Sequence, residues 1–252
     1  MTVSEEIKHV IEPENVFVFK IAGIEIGIRD SVIAMWVFTI ILIVVVKLIV
    51  KKLKTVPDKK QSLIESFVEM INNFVKNNGV EKHFKEIAPF IGTLILFLGL
   101  MNVGSIFNII PDPHELYEIF KWELLLKLPV VKLFPPTKDI NITLGMAIVT
   151  MGMVLYKTLK IKKIKGGLHT FIEPVPLMLP FKLLDFVVRP MSLTLRMFGN
   201  VMAAFIMMEL INIAIPVILP GVLSLYFDIF DGLLQAFIFA FLTTLYMAEA
   251  LE

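Results

Sequence analysis

The sequence predicts an all-α integral membrane protein with about five membrane-spanning helices, an interfacial amphipathic helix and a long, tilted C-terminal helical hairpin. Hydrophobic residues make up 57% of the 252 residues and charged residues 19%, and the mean hydropathy is +0.81. Soluble domains hold about 45–50% apolar and about 25% charged residues. One soluble core could not cover this much apolar surface without leaving large exposed patches. The chain has no cysteine, which excludes disulfides, a thiolate nucleophile and cysteine-bound metals.

The membrane spans are predicted from apolar stretches separated by polar connections. A hydrocarbon core about 30 Å thick needs about 20 residues of helix. The predicted spans are residues 31–50, 88–110, 140–158, 181–219 and 221–248. Residues 62–87 carry apolar side chains at helical spacing among charged ones, which predicts an amphipathic helix in the membrane interface.

Lysines cluster in two connections, and their positions predict the orientation of the chain. The connection after the first span is rich in lysine, and the one after the third span holds five lysines and no acid. Such connections belong on the cytoplasmic side, so we expect the N-terminus outside and the C-terminus inside. Residues 1–30 are acidic overall and lack the basic start of a cleavable signal peptide, so we expect the first span to be retained. Three segments are predicted: 1–30 outside, 31–160 with the N-terminal spans and loops, and 161–252 with the tilted hairpin that carries the ion path.

Arg196 lies inside the apolar stretch that ends at Pro220. A charged side chain at the centre of a bilayer costs about 2.5–3.5 kcal/mol on insertion scales, and arginine, unlike lysine, does not lose its proton to avoid that cost. A functional positive charge in the membrane is therefore the first interpretation. The alternative is an arginine near a helix end that extends to the lipid headgroups.

Other polar residues accompany Arg196 in the last two apolar stretches. In an antiparallel hairpin turning near residues 216–220, Gln235 lies at a depth similar to Arg196, and Asn200 follows Arg196 on the same helix face. The carboxylates of Glu209, Asp228 and Asp231 lie nearer the outside. Carboxylates on one side of a fixed cation indicate an ion path from outside that ends at a positive barrier. The alternatives are helix capping or headgroup contact for the acids and interhelical hydrogen bonds for the two amides.

Three motifs resemble subunit a of the F-type ATP synthases. They are Pro-Met-Ser-Leu-Thr-Leu-Arg-Met-Phe-Gly-Asn at 190–200, Gln-Ala-Phe-Ile-Phe at 235–239 and Pro-Pro-Thr-Lys-Asp-Ile-Asn-Ile-Thr at 135–143. The resemblance extends from about residue 30 to the end. It implies that Arg196 is the essential stator arginine facing the ion-carrying carboxylate of a c-subunit ring. It also implies that Asn200 and Gln235 line that interface and that Ser192 belongs to the inner half-channel.

Three positions depart from the family pattern. Phe205 stands where many bacterial relatives carry glutamate, and Asp228 stands where they carry histidine. The acid has moved across the hairpin, so Asp228 is the first candidate for the outer half-channel, followed by Glu209 and Asp231. On an α-helix, Asp228 would share the face of Gln235, two turns away. Lys182 replaces a usual acid, and Asp185 compensates for it.

The resemblance implies a non-catalytic, ion-translocating subunit with no cofactor and no bound metal. The implied partners are the c-subunit ring, the b-subunit peripheral stalk, the soluble ATP synthase head and the lipid bilayer, with no nucleic acid. The implied location is the bacterial plasma (inner) membrane. The sequence leaves open whether the ion is H⁺ or Na⁺, the size of the ring and the net direction of the reaction.

Two other classes of function fit the sequence less well. A secondary transporter usually shows inverted repeats with paired broken helices, and no internal repeat is visible. An intramembrane hydrolase needs catalytic side chains within the spans, but His9, His83, His114 and His169 all lie outside them and no His-Glu-x-x-His motif occurs.

Overall fold

A computed structural model describes residues 15–21, 24–51, 53–104, 136–172, 179–214, 223 and 225–251 of the chain. Residues 111–135 of the connection predicted between the second and third spans, and the hairpin turn near 216–220, lie outside these residues. The described elements, in chain order, are β1 Asn15–Ile21, β2 Ile24–Arg29, α1 Asp30–Val50, α2 Lys59–Asn77, α3 Phe84–Val103, a 3-10 turn Pro136–Lys138, α4 Ile140–Ile172, α5 Leu179–Ala214, a π-helical segment Leu225–Asp231 and α6 Gly232–Leu251.

Five of the described helices are long and apolar enough to cross a membrane. This confirms the predicted all-α integral membrane fold, and the helices fall on the five predicted apolar stretches. The structure adds a two-stranded antiparallel sheet, β1 paired with β2, in which Val18 lies opposite Gly27. This hairpin belongs to the segment that precedes the first span, and β2 leads directly into α1 at Arg29.

The boundaries of two elements differ from those predicted. The amphipathic helix α2 ends at Asn77 and does not continue to residue 87, because the chain turns at Gly79, whose φ of 92° is a left-handed conformation that suits glycine. By contrast, α4 continues past the predicted span to Ile172. The lysine-rich stretch expected to be a loop is therefore helical, since lysine and leucine are good helix formers and can continue a helix into water.

The core of the bundle is formed by α3, α4 and α6. On α3 the buried side chains recur every three or four residues, at Ile87, Ile91, Leu94 and Leu98. The facing side of α6 carries small residues, which let helix backbones approach closely inside a membrane. The buried small residues of α6 are Gly232, Ala236, Ala240, Thr243, Thr244 and Ala248.

The remaining helices surround this core. Helix α2 packs on α3. Its Phe74 also contacts the rings of Phe237 and Phe241 of α6. Helix α1 also packs on α3 and buries only Ser31 and Phe38, so most of its apolar surface faces outward. Helix α5 lies mainly against α4 and meets α6 at few positions. Its 36 residues span about 54 Å, so it must tilt strongly to remain in a bilayer.

Candidate functional site

Arg196 lies near the middle of α5, on the exposed face of that helix. Met191, Leu195 and Gly199 are exposed with it, whereas Leu193 and Met197 are buried against the bundle. No described carboxylate lies within ion-pairing distance of its guanidinium. The result is a charged group on an apolar outer surface at mid-helix, which is costly unless something outside this chain contacts it.

Asn200 lies one helical turn after Arg196, about 6 Å along the helix, and connects α5 to the start of α6. Its side-chain amide donates a hydrogen bond of 2.7 Å to the carboxylate of Asp231. Both side chains are partly buried. Asp231 is thus a described carboxylate that contacts α5 one turn from Arg196.

Asp231 ends a π-helical segment, Leu225–Asp231, in which the backbone turns more widely than in an α-helix. The α-helical spacing used to place Asp228 on the face of Gln235 does not apply through this segment, because each residue advances by a smaller angle. Segments of this kind occur often at functional sites. The side chains of Asp228 and Glu209 lie outside the described part of the structure, so their roles remain predictions.

Asn102, at the end of α3, connects three elements beside Asp231. Its amide nitrogen donates to the backbone carbonyl of Gly232 at 3.0 Å, and the Thr137 hydroxyl donates to its amide oxygen at 2.8 Å. A Cβ at position 232 would lie 3.0 Å from the Cβ of Asn102, so a larger residue there would force its neighbour to shift. Sequence analysis missed Asn102, although an asparagine inside an apolar span was a usable signal, and it named Thr137 only as part of the motif 135–143.

Gln235 and Ser192 occupy different environments. Gln235 is 4% exposed and lies on the buried face of α6, with no described partner for its Nε2 atom. It therefore points into the bundle and not onto the outer surface that carries Arg196. Ser192 is half-buried on α5, one turn before Arg196.

Asp139, directly after the 3-10 turn, is the centre of a buried ionic cluster. Arg29 donates to both of its carboxylate oxygens at 3.1 Å, Ser31 donates through its hydroxyl at 2.9 Å, and the backbone N–H of Asn141 donates at 2.9 Å. Burial alone would raise the pKa of Asp139, but these hydrogen bonds and the charge of Arg29 outweigh it and lower the pKa. Burial lowers the pKa of the neighbouring Lys138, against the opposing effect of Asp30 and Asp139.

These polar contacts form a succession that crosses the bundle. It begins where β2 meets α1, at Arg29 and Ser31, and passes through the 3-10 turn to Asn102. From there it continues to the junction of the π segment and α6 and reaches α5 at Asn200. The described residues of the motif 135–143 are thereby linked to Asn200, the last residue of the motif around Arg196, although about fifty residues separate the two motifs in the chain.

A second polar cluster joins α5 to the other end of α6. The guanidinium of Arg189 contacts Glu249 at 2.6 Å and Asp185 at 3.4 Å, and it lies 4.9 Å from the ring centroid of Tyr246. The sequence analysis named Asp185 as the acid that compensates for Lys182, but it connected Asp185 to neither Arg189 nor Glu249.

Comparison with known proteins identifies the family of this chain. The family model described as "ATP synthase A chain" matches residues 32–248. The chain belongs to this family. It is also 32% identical over 220 residues to a protein described as "ATP synthase subunit a, sodium ion specific" from Propionigenium modestum, an alignment that covers 86% of this chain and 72% of that protein. The resemblance to F-type ATP synthase subunit a is thus confirmed.

Membership of the ATP synthase A chain family decides the general function. This subunit is the non-catalytic, ion-translocating stator subunit of the membrane sector, and it works within a multi-subunit ATP synthase. It crosses the membrane several times, in agreement with the five candidate spans.

Proposed function

We propose that Arg196 is the stator arginine of this subunit and faces the ion-carrying carboxylate of a rotating ring of c subunits. The observation that carries the proposal is the exposed guanidinium halfway along α5, with no described partner and with apolar neighbours on the same face. A rotating carboxylate meets the requirement for an external partner. It is also present only transiently, which suits a charge that has no counter-ion among the described residues of its own chain.

The outer half-channel follows the succession of polar side chains from the outer end of the helical hairpin to Asn200. The contact between Asn200 and Asp231 supports Asp231 as the carboxylate nearest to Arg196 along this route. By their positions in the sequence, Asp228 and Glu209 are the next candidate carboxylates towards the outside. Buried Gln235, whose amide nitrogen has no described partner, offers a hydrogen-bond donor within the bundle at a similar level.

The inner half-channel begins at Ser192, one turn from Arg196 in the opposite direction. Ions enter from outside, neutralise a c-subunit carboxylate, travel with the ring through lipid and leave on the inner side. Arg196 attracts the returning carboxylate, promotes release of its ion and blocks direct passage between the half-channels. A membrane potential supplies about 2.3 kcal/mol per charge per 100 mV, so several ions must cross for each ATP made.

The proposed assembly follows from the family and from the charges of the chain. The partners are the c ring, the b-subunit peripheral stalk and the soluble head, in the inner membrane of a bacterial cell. The N-terminus lies outside and the C-terminus in the cytoplasm, because the two lysine-rich stretches, after α1 and in the C-terminal half of α4, belong on the cytoplasmic side.

The transported ion is H⁺ or Na⁺. The sodium specificity of the Propionigenium modestum relative gives a reason to test Na⁺ directly. ATP hydrolysis by the purified complex should be measured with and without Na⁺ at a fixed pH. Stimulation by Na⁺ identifies a sodium enzyme, whereas an equal rate in both conditions identifies a proton enzyme.

Substitution of Arg196 tests the proposed role. Arg196→Ala should abolish ion-driven ATP synthesis in membrane vesicles. The complex should still assemble, because removal of the charge lowers the cost of insertion. Arg196→Lys keeps the charge but loses the planar fork and can deprotonate, so it should also fail to reach the wild-type rate. Leu195→Ala, which shortens the adjacent exposed side chain, is the control and should retain synthesis. Wild-type synthesis by the Arg196→Ala complex would exclude Arg196 as the stator arginine.

A further inference from the structure

Helices α5 and α6 meet at few positions, and two polar contacts hold them together on either side of Arg196. The Asn200–Asp231 contact lies four residues after Arg196. The Arg189–Glu249 contact lies seven residues before it, and its N–O distance of 2.6 Å is the shortest among the described ion pairs. The helix that carries the functional arginine is thus joined to α6 above and below that residue.

The two contacts are spaced differently along the two helices. Residues 189 and 200 are about 16 Å apart along α5, whereas residues 231 and 249 are about 27 Å apart along α6. The long side chains of Arg189 and Glu249 span this difference of about 10 Å, so a rotation of α5 that moves the Arg189 guanidinium away from Glu249 breaks the contact.

Arg189 and Arg196 lie on nearly the same face of α5. Seven residues are almost two full turns, about 10 Å along the axis. A rotation of α5 that breaks the Arg189–Glu249 contact therefore also turns Arg196. Arg189 itself is 20% exposed at its side chain and rests over the ring of Tyr246, so it is held by packing as well as by charge.

We propose that Arg189 is a positioning residue: its contact with Glu249 and Tyr246 fixes the rotation of α5 and so sets the direction in which Arg196 points. This inference rests on the role proposed for Arg196. It assigns no ion to Arg189 itself, whose charge is already occupied by Glu249 and Asp185 within the chain. A fixed direction matters because Arg196 must meet each ring carboxylate in turn at the same place.

The experiment compares Arg189→Gln, Glu249→Gln and the double variant in the assembled complex in membrane vesicles. Three quantities are measured: the amount of complex, the rate of ion-driven ATP synthesis, and the passive ion leak through the membrane sector. Both single variants should assemble normally, lose synthesis at least fivefold and leak more than wild type. The double variant should be no worse than the worse single variant, because both changes remove one and the same contact.

A conservative variant and a distant control sharpen the test. Arg189→Lys keeps a charge that can reach Glu249, so it should recover a large part of the synthesis lost in Arg189→Gln. Asp58→Asn removes an ion pair of similar length, with Lys54 at 2.9 Å, in an exposed loop outside the spans. It should leave all three quantities at the wild-type level.

Several results would overturn the inference. Wild-type coupling in Arg189→Gln would show that the contact does not position Arg196. If the amount of assembled complex fell in proportion to synthesis, the contact would be merely structural. Additive losses in the double variant would also overturn the inference, because they would show that the two residues do not act through one contact. Arg196→Ala is measured in parallel: if it were fully active, the proposed role of Arg196 would fail first, whereas an inactive Arg196→Ala beside a normal Arg189→Gln refutes only the positioning role.

Discussion

The side-chain amide of Asn200 donates a 2.7 Å hydrogen bond to the carboxylate of Asp231, which joins the arginine-bearing helix α5 to the beginning of α6. Asn200 follows Arg196 by one turn, so the contact brings an acid close to the cation without pairing the two. Under the role proposed for Arg196, a direct ion pair would neutralise the charge that the ring carboxylate has to meet. The proposal therefore requires that the two opposite charges remain unpaired.

The Asn200–Asp231 contact predicts a coupled pair in function. Asn200→Ala and Asp231→Ala should each lower ion-driven ATP synthesis by about tenfold or more, since a hydrogen bond to a charged group contributes about 1.5–3 kcal/mol. The double variant should resemble the more impaired single variant. Synthesis rates are normalised to the amount of assembled complex. Comparison with Asp228→Asn tests the sequence-based assignment of Asp228 to the outer half-channel. If the Asp228→Asn complex were fully active and the Asp231→Ala complex inactive, Asp231 and not Asp228 would line the outer half-channel.

The burial of Gln235 predicts that its substitution affects stability and activity in opposite directions. Its buried Nε2 atom has no described partner, and an unsatisfied buried polar group costs about 1–3 kcal/mol. Gln235→Leu should therefore leave the melting temperature of the chain in detergent unchanged or higher, while ATP synthesis falls. Thr150→Val is the matched control, because the Thr150 hydroxyl is also buried without a described partner but belongs to neither of the proposed half-channels. It should raise stability without loss of synthesis. A large drop in the melting temperature of Gln235→Leu would contradict this prediction.

The ionic cluster around Asp139 predicts a dependence of stability on pH. Because folding lowers the pKa of Asp139 below its ordinary value of 3.8, the charged carboxylate stabilises the fold above that value. The stabilisation is lost as the pH falls through the lower pKa of the folded state. The melting temperatures of wild type and Asp139→Asn should therefore differ by a constant amount at neutral pH and converge in strong acid. An equal difference at every pH would show that the charge of Asp139 does not contribute.

Gly232 predicts a steric limit at the start of α6. Gly232→Ala would place a Cβ 3.0 Å from the Cβ of Asn102, and the resulting shift should cost about 1–3 kcal/mol in the free energy of unfolding. Gly145→Ala in α4 is the control, because nothing lies within 4 Å of the added Cβ. That change should stabilise the helix by up to about 1 kcal/mol. Chemical unfolding in detergent measures both variants, and equal stability of the two would refute the predicted steric conflict.

The sequence by itself determined the membrane class, the five spans and the exceptional position of Arg196. These follow from composition and from the length of apolar stretches, which the thickness of a bilayer fixes independently of how the helices pack. The family was likewise visible in three short motifs. Local backbone chemistry was less well determined: the end of α2 at Asn77, the continuation of α4 and the π-helical segment before α6 depend on hydrogen bonds that apolar patterning does not encode.

Only the tertiary structure decided which polar residues meet. Asn102, Thr137 and Gly232 come from three separate parts of the chain, and nothing in their spacing predicts that they touch. The same holds for Arg29 with Asp139 and for Arg189 with Glu249, whose contacts depend on how the helices cross. The π segment explains why helical spacing alone could not choose between Asp228 and Asp231, because it changes the angle through which each residue advances. At the end of this segment, Asp231 lies within hydrogen-bonding distance of Asn200.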